Sequence, residues 1–175
     1  NLFQVVDEVI LSVRDASQKE KLIPVREKFP DREIRFCFDT LEDAGPLEGI
    51  RVGLLESRSE YSFICAGDMP FVNSEVVDFL FKKASGCDAA IPRWNEKMFE
   101  PLHAVYSQKM LPEIEKAFEN GKHSVLAPVF QMKDVVFVEV SEIREIDPEL
   151  RTFANINTIE DLKSMIGDSV EKVEL

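Results

Sequence analysis

Apolar and polar positions along the 175 residues switch repeatedly between two kinds of pattern. Short apolar runs without a helical period read as buried strands: Glu8 to Val13, Ile34 to Phe38, Tyr61 to Ala66, Asp88 to Pro92, Leu102 to Tyr106 and Val135 to Val140. Between them lie helical segments. Gln18 to Ile23 predicts a short helix or turn stopped by Pro24. Gly45-Pro46 opens a helix whose stripe is Leu47, Ile50 and Leu54, with proline suited to the first turn. Ser74 predicts the N-cap of a helix through Ala84, with Val77, Leu80 and Phe81 inward. Leu111 to Asn120 reads as a helix ended by Gly121, and Ser124 to Met132 as a shorter one. Thr158, with Asp161 three residues on, predicts the start of a last helix to Ile166. Trp94 to Met98 reads as a loop. Alternation of this kind predicts one domain over 1–175, with a mostly parallel sheet between helices on both faces.

Composition narrows the partners. Lys and Arg number 21 against 33 Asp and Glu, a net charge of −12. That balance opposes nucleic acid and anionic membrane surfaces as partners, and no apolar run reaches membrane-spanning length. Cys37, Cys65 and Cys87 are odd in number and form no CxxC. Cys37 and Cys65 lie in apolar runs, so they read as buried thiols of a reducing, cytoplasmic compartment. The start at Asn1 has no basic region and is no signal peptide.

The segment most suggestive of chemistry is Phe63-Ile64-Cys65-Ala66-Gly67-Asp68-Met69-Pro70-Phe71. It delivers Asp68 to a bend just past a strand, where open α/β sheets bind ligands. A carboxylate there suits a hard cation on a phosphate ester, or an ordinary turn. Asp39 also follows a strand; with Asp68 across one crevice it suits a metal or a ligand amine or hydroxyl, while local sequence slightly favours Asp39 and Asp43 as caps of the loop and the Gly45-Pro46 helix. Gly45-Pro46-Leu47-Glu48-Gly49-Ile50 reads as a structural turn, since Glu48 in the first turn opposes an anion there. Asn155 and Asn157 alternate, so in an extended segment both amides share one side, suited to a heterocycle edge or simply to a polar strand end. His103 reads as a packed strand residue.

Taken in order, Asp39, the Gly45–Ile50 turn, Cys65-Ala66-Gly67-Asp68-Met69-Pro70-Phe71, Pro101-Leu102-His103-Ala104-Val105-Tyr106 and Asn155-Ile156-Asn157-Thr158-Ile159-Glu160-Asp161-Leu162 resemble the MobA-like nucleotidyltransferases, the molybdenum cofactor guanylyltransferases. The resemblance implies a Rossmann-like three-layer α/β/α sandwich of the nucleotide-diphospho-sugar transferase type. It implies Mg²⁺-dependent transfer of GMP from GTP to molybdopterin with release of pyrophosphate. By matching positions, Asp68 is implied as the Mg²⁺-binding catalytic aspartate lying against GTP, and Asp39 as a GTP contact. Ser12 falls at a guanine-contacting position that is often an amide in the family, and Asn155 and Asn157 fall in the segment tied to the pterin. The family opens with a strand and a glycine-rich loop that cradles the triphosphate, and Asn1 falls just ahead of its second strand; that opening is expected to lie upstream. Related readings are a CTP or sugar-phosphate nucleotidyltransferase and a non-catalytic binding module. Expected partners are molybdoenzymes or cofactor-biosynthesis proteins, with the chain a monomer or weak homo-oligomer.

Overall fold

The computed structural model describes residues 2–156 and 158. After a 3-10 turn at Leu2–Gln4 come β1 (Glu8–Val13), α1 (Ala16–Glu27), β2 (Glu33–Phe38), α2 (Pro46–Glu56), β3 (Tyr61–Cys65) and α3 (Ser74–Ala84). The second half holds β4 (Ala89–Asn95), β5 (Met98–Phe99), β6 (His103–Ser107), α4 (Met110–Glu119), α5 (Leu126–Val129), β7 (Val135–Glu139), α6 (Val140–Arg144) and a 3-10 turn at Arg151–Phe153. The expected final helix and Asn157 lie outside the described residues.

Three layers follow from period-2 patterning. On β4, Ala89 and Ile91 face a core with Leu47, Ile50 and Leu54 of α2 and Met110, Ile114 and Ala117 of α4. Ala90, between them, faces the opposite core with Val76, Leu80 and Ala84 of α3 and Val140 and Ile143 of α6. On β6, Ala104 and Tyr106 take the first face and Val105 the second. Each fully buried Leu or Ile contributes about 1.5–3 kcal/mol, so the α2 stripe alone anchors that helix firmly. Among the described residues no helix is long and apolar enough to cross a membrane.

Strand directions differ from the expected mostly parallel sheet. β1 pairs β2 in parallel, with Ser12 opposite Cys37. In the five-stranded sheet β7 runs parallel to β4, but β3–β6, β6–β4 and β4–β5 are antiparallel. The reason is a return leg: β6 comes back between β3 and β4 without a crossover helix. Trp94 to Met98, expected as a loop, instead forms the tip of a β4–β5 hairpin in which Arg93 pairs Phe99 and Asn95 pairs Met98.

Further corrections have local causes. The first helix does not stop at Pro24 but continues to Glu27; Pro24 lies in its last turn, where few intrahelical hydrogen bonds depend on the donor that proline lacks. Its N-cap is Asp15, whose carboxylate accepts from Gln18 N–H at 2.8 Å. Asn73, rather than Ser74, caps α3, accepting from Glu75 N–H at 2.9 Å. The 124–132 helix contracts to the single turn of α5. β3 was expected to be buried on both faces, yet it is only half-buried along Tyr61–Ile64, and Cys65 is exposed rather than buried. Among the described residues β3 pairs only with β6, so one edge of it has no ladder partner. Cys37 is buried as expected, which pushes its thiol up to about 11.

Candidate active site

The parallel β1–β2 ladder ends with two polar side chains together. Asp39 N–H donates to Val13 O at 3.0 Å, extending the pairing by one residue past β2. This places Ser12 Oγ to donate to Asp39 Oδ1 at 2.8 Å. The two residues are 27 apart in sequence, and both had been expected to contact a nucleotide. α2 crosses close above them. A Cβ on Gly49 would lie 3.2 Å from Ser12 Oγ, so the glycine permits that approach.

The loop behind Asp39 is held by a residue that sequence reasoning treated as unhelpful. Glu48, in the first turn of α2, is completely buried. Its Oε1 accepts from Thr40 N–H (2.8 Å), Thr40 Oγ1 (3.0 Å), Leu41 N–H (3.3 Å) and Arg51 Nη2 (2.7 Å). Its Oε2 accepts from Arg51 Nε at 2.7 Å. Burial pushes the carboxyl up, but the Arg51 and Thr40 hydrogen bonds more than offset this and bring it down to about 2. Glu48 therefore faces inward as an anchor for residues 40–41, and its charge is already neutralised by Arg51. The usable clue was the Glu48-x-x-Arg51 spacing, which puts both on one helix face. Asp43 stands exposed with φ of 54°, a left-handed turn position, apart from any hydrogen bond among the described residues.

Asp68 sits in a tight turn just past β3, where Met69 N–H donates to Ala66 O at 3.3 Å. It is exposed, and its carboxylate makes no hydrogen bond or ion pair with the described residues. Its backbone oxygen accepts from Ile156 N–H at 2.8 Å, so the turn is joined to the segment carrying Asn155. Asn155 is exposed beside that bond. Two pairings thus emerge: Ser12 with Asp39 on one sheet, and Asp68 with the Asn155 segment on the other.

Among the described residues no group of three or more His, Cys, Asp and Glu is arranged to hold a metal ion. Asp68 nevertheless fits a hard divalent cation, being a free carboxylate open to solvent; Mg²⁺ commonly takes one or two carboxylates and completes its shell with waters and substrate phosphates.

Comparison with known proteins shows the family to which the chain belongs. The family described as the MobA-like NTP transferase domain matches residues 1–135. A probable molybdenum cofactor guanylyltransferase of Methanosarcina mazei is 84% identical over 175 residues, covering 100% of this chain and 78% of the relative. One from Natronomonas pharaonis is 34% identical over 163 residues, covering 93% and 77%. Among solved structures, molybdopterin-guanine dinucleotide biosynthesis protein A from Archaeoglobus fulgidus superposes with a TM-score of 0.70 at 36% identity, covering 89% of this chain and 75% of that one. The 2-C-methyl-D-erythritol 4-phosphate cytidylyltransferase of Thermus thermophilus, 15% identical with a TM-score of 0.60 and coverage of 92% and 81%, shares the fold.

Proposed function

Because the chain belongs to the MobA-like NTP transferase family, we propose that it transfers GMP from GTP to the terminal phosphate of molybdopterin and releases pyrophosphate. The guanylyltransferase names of its relatives support the choice of substrates. The observation that carries the reading is the hydrogen-bonded Ser12–Asp39 pair at the carboxyl ends of β1 and β2. Ligands of open α/β sheets collect at those ends.

In this reaction an oxygen of the acceptor phosphate attacks the α-phosphorus of GTP. The bond to the bridging oxygen breaks, and its electron pair leaves with pyrophosphate. The acceptor brings its own nucleophile, so the protein's task is positioning and charge placement. Ser12 and Asp39 bind the nucleoside end; with Asp39 Oδ1 occupied by Ser12, Oδ2 remains free to accept from a ligand N–H or O–H. Glu48 and Arg51 keep the loop behind Asp39 in place before the nucleotide arrives. Asn155, with Asn157 two residues on, offers amide donors and acceptors to the pterin. Asp68 holds Mg²⁺, which when bound offsets charge on the triphosphate. A chain of net charge −12 depends on such offsets when it binds two polyanions.

The test is nucleotide competition on the full-length protein with Mg²⁺ present. GTP is expected to displace a labelled guanine nucleotide at least ten times more effectively than CTP, and Asp39→Asn to weaken GTP binding about tenfold. Tighter binding of CTP than GTP would overturn the guanylyl assignment.

A further inference from the structure

We propose that His103 and Thr152 form a positioning clamp that fixes the Asp68 loop against the segment leading to Asn155. The proposal rests on the reading above, in which these two segments serve one reaction. Both ends of the loop are tied to the same short stretch. At one end Ile156 N–H donates to Asp68 O at 2.8 Å. At the other, Asn73 N–H donates to Thr152 Oγ1 at 3.1 Å. Residues 68–73 are thereby held between two bonds contributed by residues 152 and 156.

Thr152 is itself fixed from two further directions. Its N–H donates to Asp147 Oδ2 at 2.8 Å, and its hydroxyl oxygen lies 3.0 Å from His103 Nε2. Thr152 and His103 are completely buried. The hydroxyl can accept from Asn73 and still exchange one hydrogen bond with the imidazole, since it carries one donor and two acceptor sites. His103 stands on β6 opposite Cys65, the last residue of β3, so it refers the clamp to the rigid sheet just where the Asp68 turn begins. Its ring is wedged edge-on between Phe63, 5.0 Å away, and Phe153, 4.8 Å away. Arg151 adds a cation–π contact at 4.3 Å over Phe71, inside the loop.

The choice of histidine at this position is otherwise hard to explain. Its Nδ1 is buried with no hydrogen-bond partner among the described residues, an arrangement that an apolar ring of similar shape would avoid. Only the Nε2 bond to Thr152 gains from it. Burial holds the imidazole down to about 4, against an opposing pull from Asp147, so it stays neutral and the bond persists under physiological conditions. An imidazole so enclosed touches no reacting atom; it acts through Thr152 on where the two segments stand. Misplacement of reacting groups by about 1 Å can lower a rate about 10²-fold.

The experiment compares Thr152→Val, Thr152→Ser and His103→Gln with the wild type in the full-length protein. Amide hydrogen exchange is followed at Asn73 and Ile156, and kcat for GMP transfer is separated from the Kd for GTP. Thr152→Val is expected to speed exchange at both amides about tenfold and to lower kcat about 10- to 100-fold, with the GTP Kd within twofold. Thr152→Ser and His103→Gln, which keep a polar atom at the bonding position, are expected to restore kcat to within about threefold. Faster exchange at Asn73 alone, with Ile156 unchanged, overturns the clamp. So does a Thr152→Val protein that melts earlier yet keeps wild-type kcat per folded molecule, or a Thr152→Ser protein as slow as Thr152→Val. The exchange arm needs no substrate: a wild-type protein that transfers no GMP defeats the reaction reading, while Ile156 exchange still decides the clamp.

Discussion

Replacing Glu48 by Gln isolates one charge at a site where its surroundings are fully defined. The carboxylate receives five donors, four on Oε1 and one on Oε2, from Thr40, Leu41 and Arg51. A glutamine amide offers one oxygen and one NH₂ group, so whichever way it turns, two donors face each other at one position. Arg51, whose side chain is only 12% exposed, then keeps its charge while losing its closest partner. The magnitude can be taken from the depressed carboxyl. A fall from 4.5 to about 2, at about 1.4 kcal/mol per pH unit, amounts to about 3 kcal/mol. Breaking a buried pair by removing one member typically costs about 3–5 kcal/mol, which agrees. For a chain of this size the melting temperature should drop by about 6–12 °C.

The sign with pH follows from the direction of the shift. The folded carboxyl titrates below its unfolded value, so its stabilisation is fully present above about 4.5 and is lost as the pH falls through about 2. Urea unfolding of wild type and Glu48→Gln at stepped pH should therefore show a difference of about 3 kcal/mol at pH 7 that shrinks steadily below about pH 4.5. A difference under about 1 kcal/mol at pH 7 would refute the reasoning. So would one that stays constant down to pH 2.

Other substitutions probe the remaining parts. Asp68→Asn, at an exposed residue whose carboxylate has no partner among the described residues, should leave the unfolding free energy in urea unchanged within about 0.5 kcal/mol while lowering Mg²⁺-dependent transfer by about 10²-fold or more. Gly49→Ala puts a methyl carbon 3.2 Å from Ser12 Oγ, and Ser12→Ala removes the bond to Asp39; each should raise the GTP Kd about three- to tenfold by titration calorimetry, and the double variant should be little worse than either. Tyr106→Phe deletes a buried hydroxyl that donates to Pro101 O at 2.8 Å and should lower stability by about 1 kcal/mol in urea.

How much of this was legible in the sequence depended on the range of the interaction. The stripe Leu47, Ile50 and Leu54, and the run Glu8–Val13, carry their periodicity locally and appear as α2 and β1. Asp39 could be placed just past a strand and Ser12 within the run Glu8–Val13, and the parallel register then brings them within hydrogen-bond reach. Strand direction could not be read, because nothing in His103–Ser107 states that this run returns antiparallel between two others. That β3 pairs only with β6 among the described residues escaped notice for the same reason, and with it the exposure of Cys65. The segment of Glu48 was read as structural, but its anchoring role was not, because helix-terminus electrostatics was applied without Arg51 in view, which neutralises that charge. The bond between His103 and Thr152 spans 49 residues and has no local signature.

The central claim is tested most directly by incubating the full-length protein with GTP labelled at the α-phosphate, Mg²⁺ and molybdopterin, and following label and pyrophosphate together. The account predicts one labelled GMP joined to the pterin phosphate for each pyrophosphate released, with neither formed when GTP, Mg²⁺ or molybdopterin is withheld. Pyrophosphate release without molybdopterin, or transfer from CTP in preference to GTP, would contradict it.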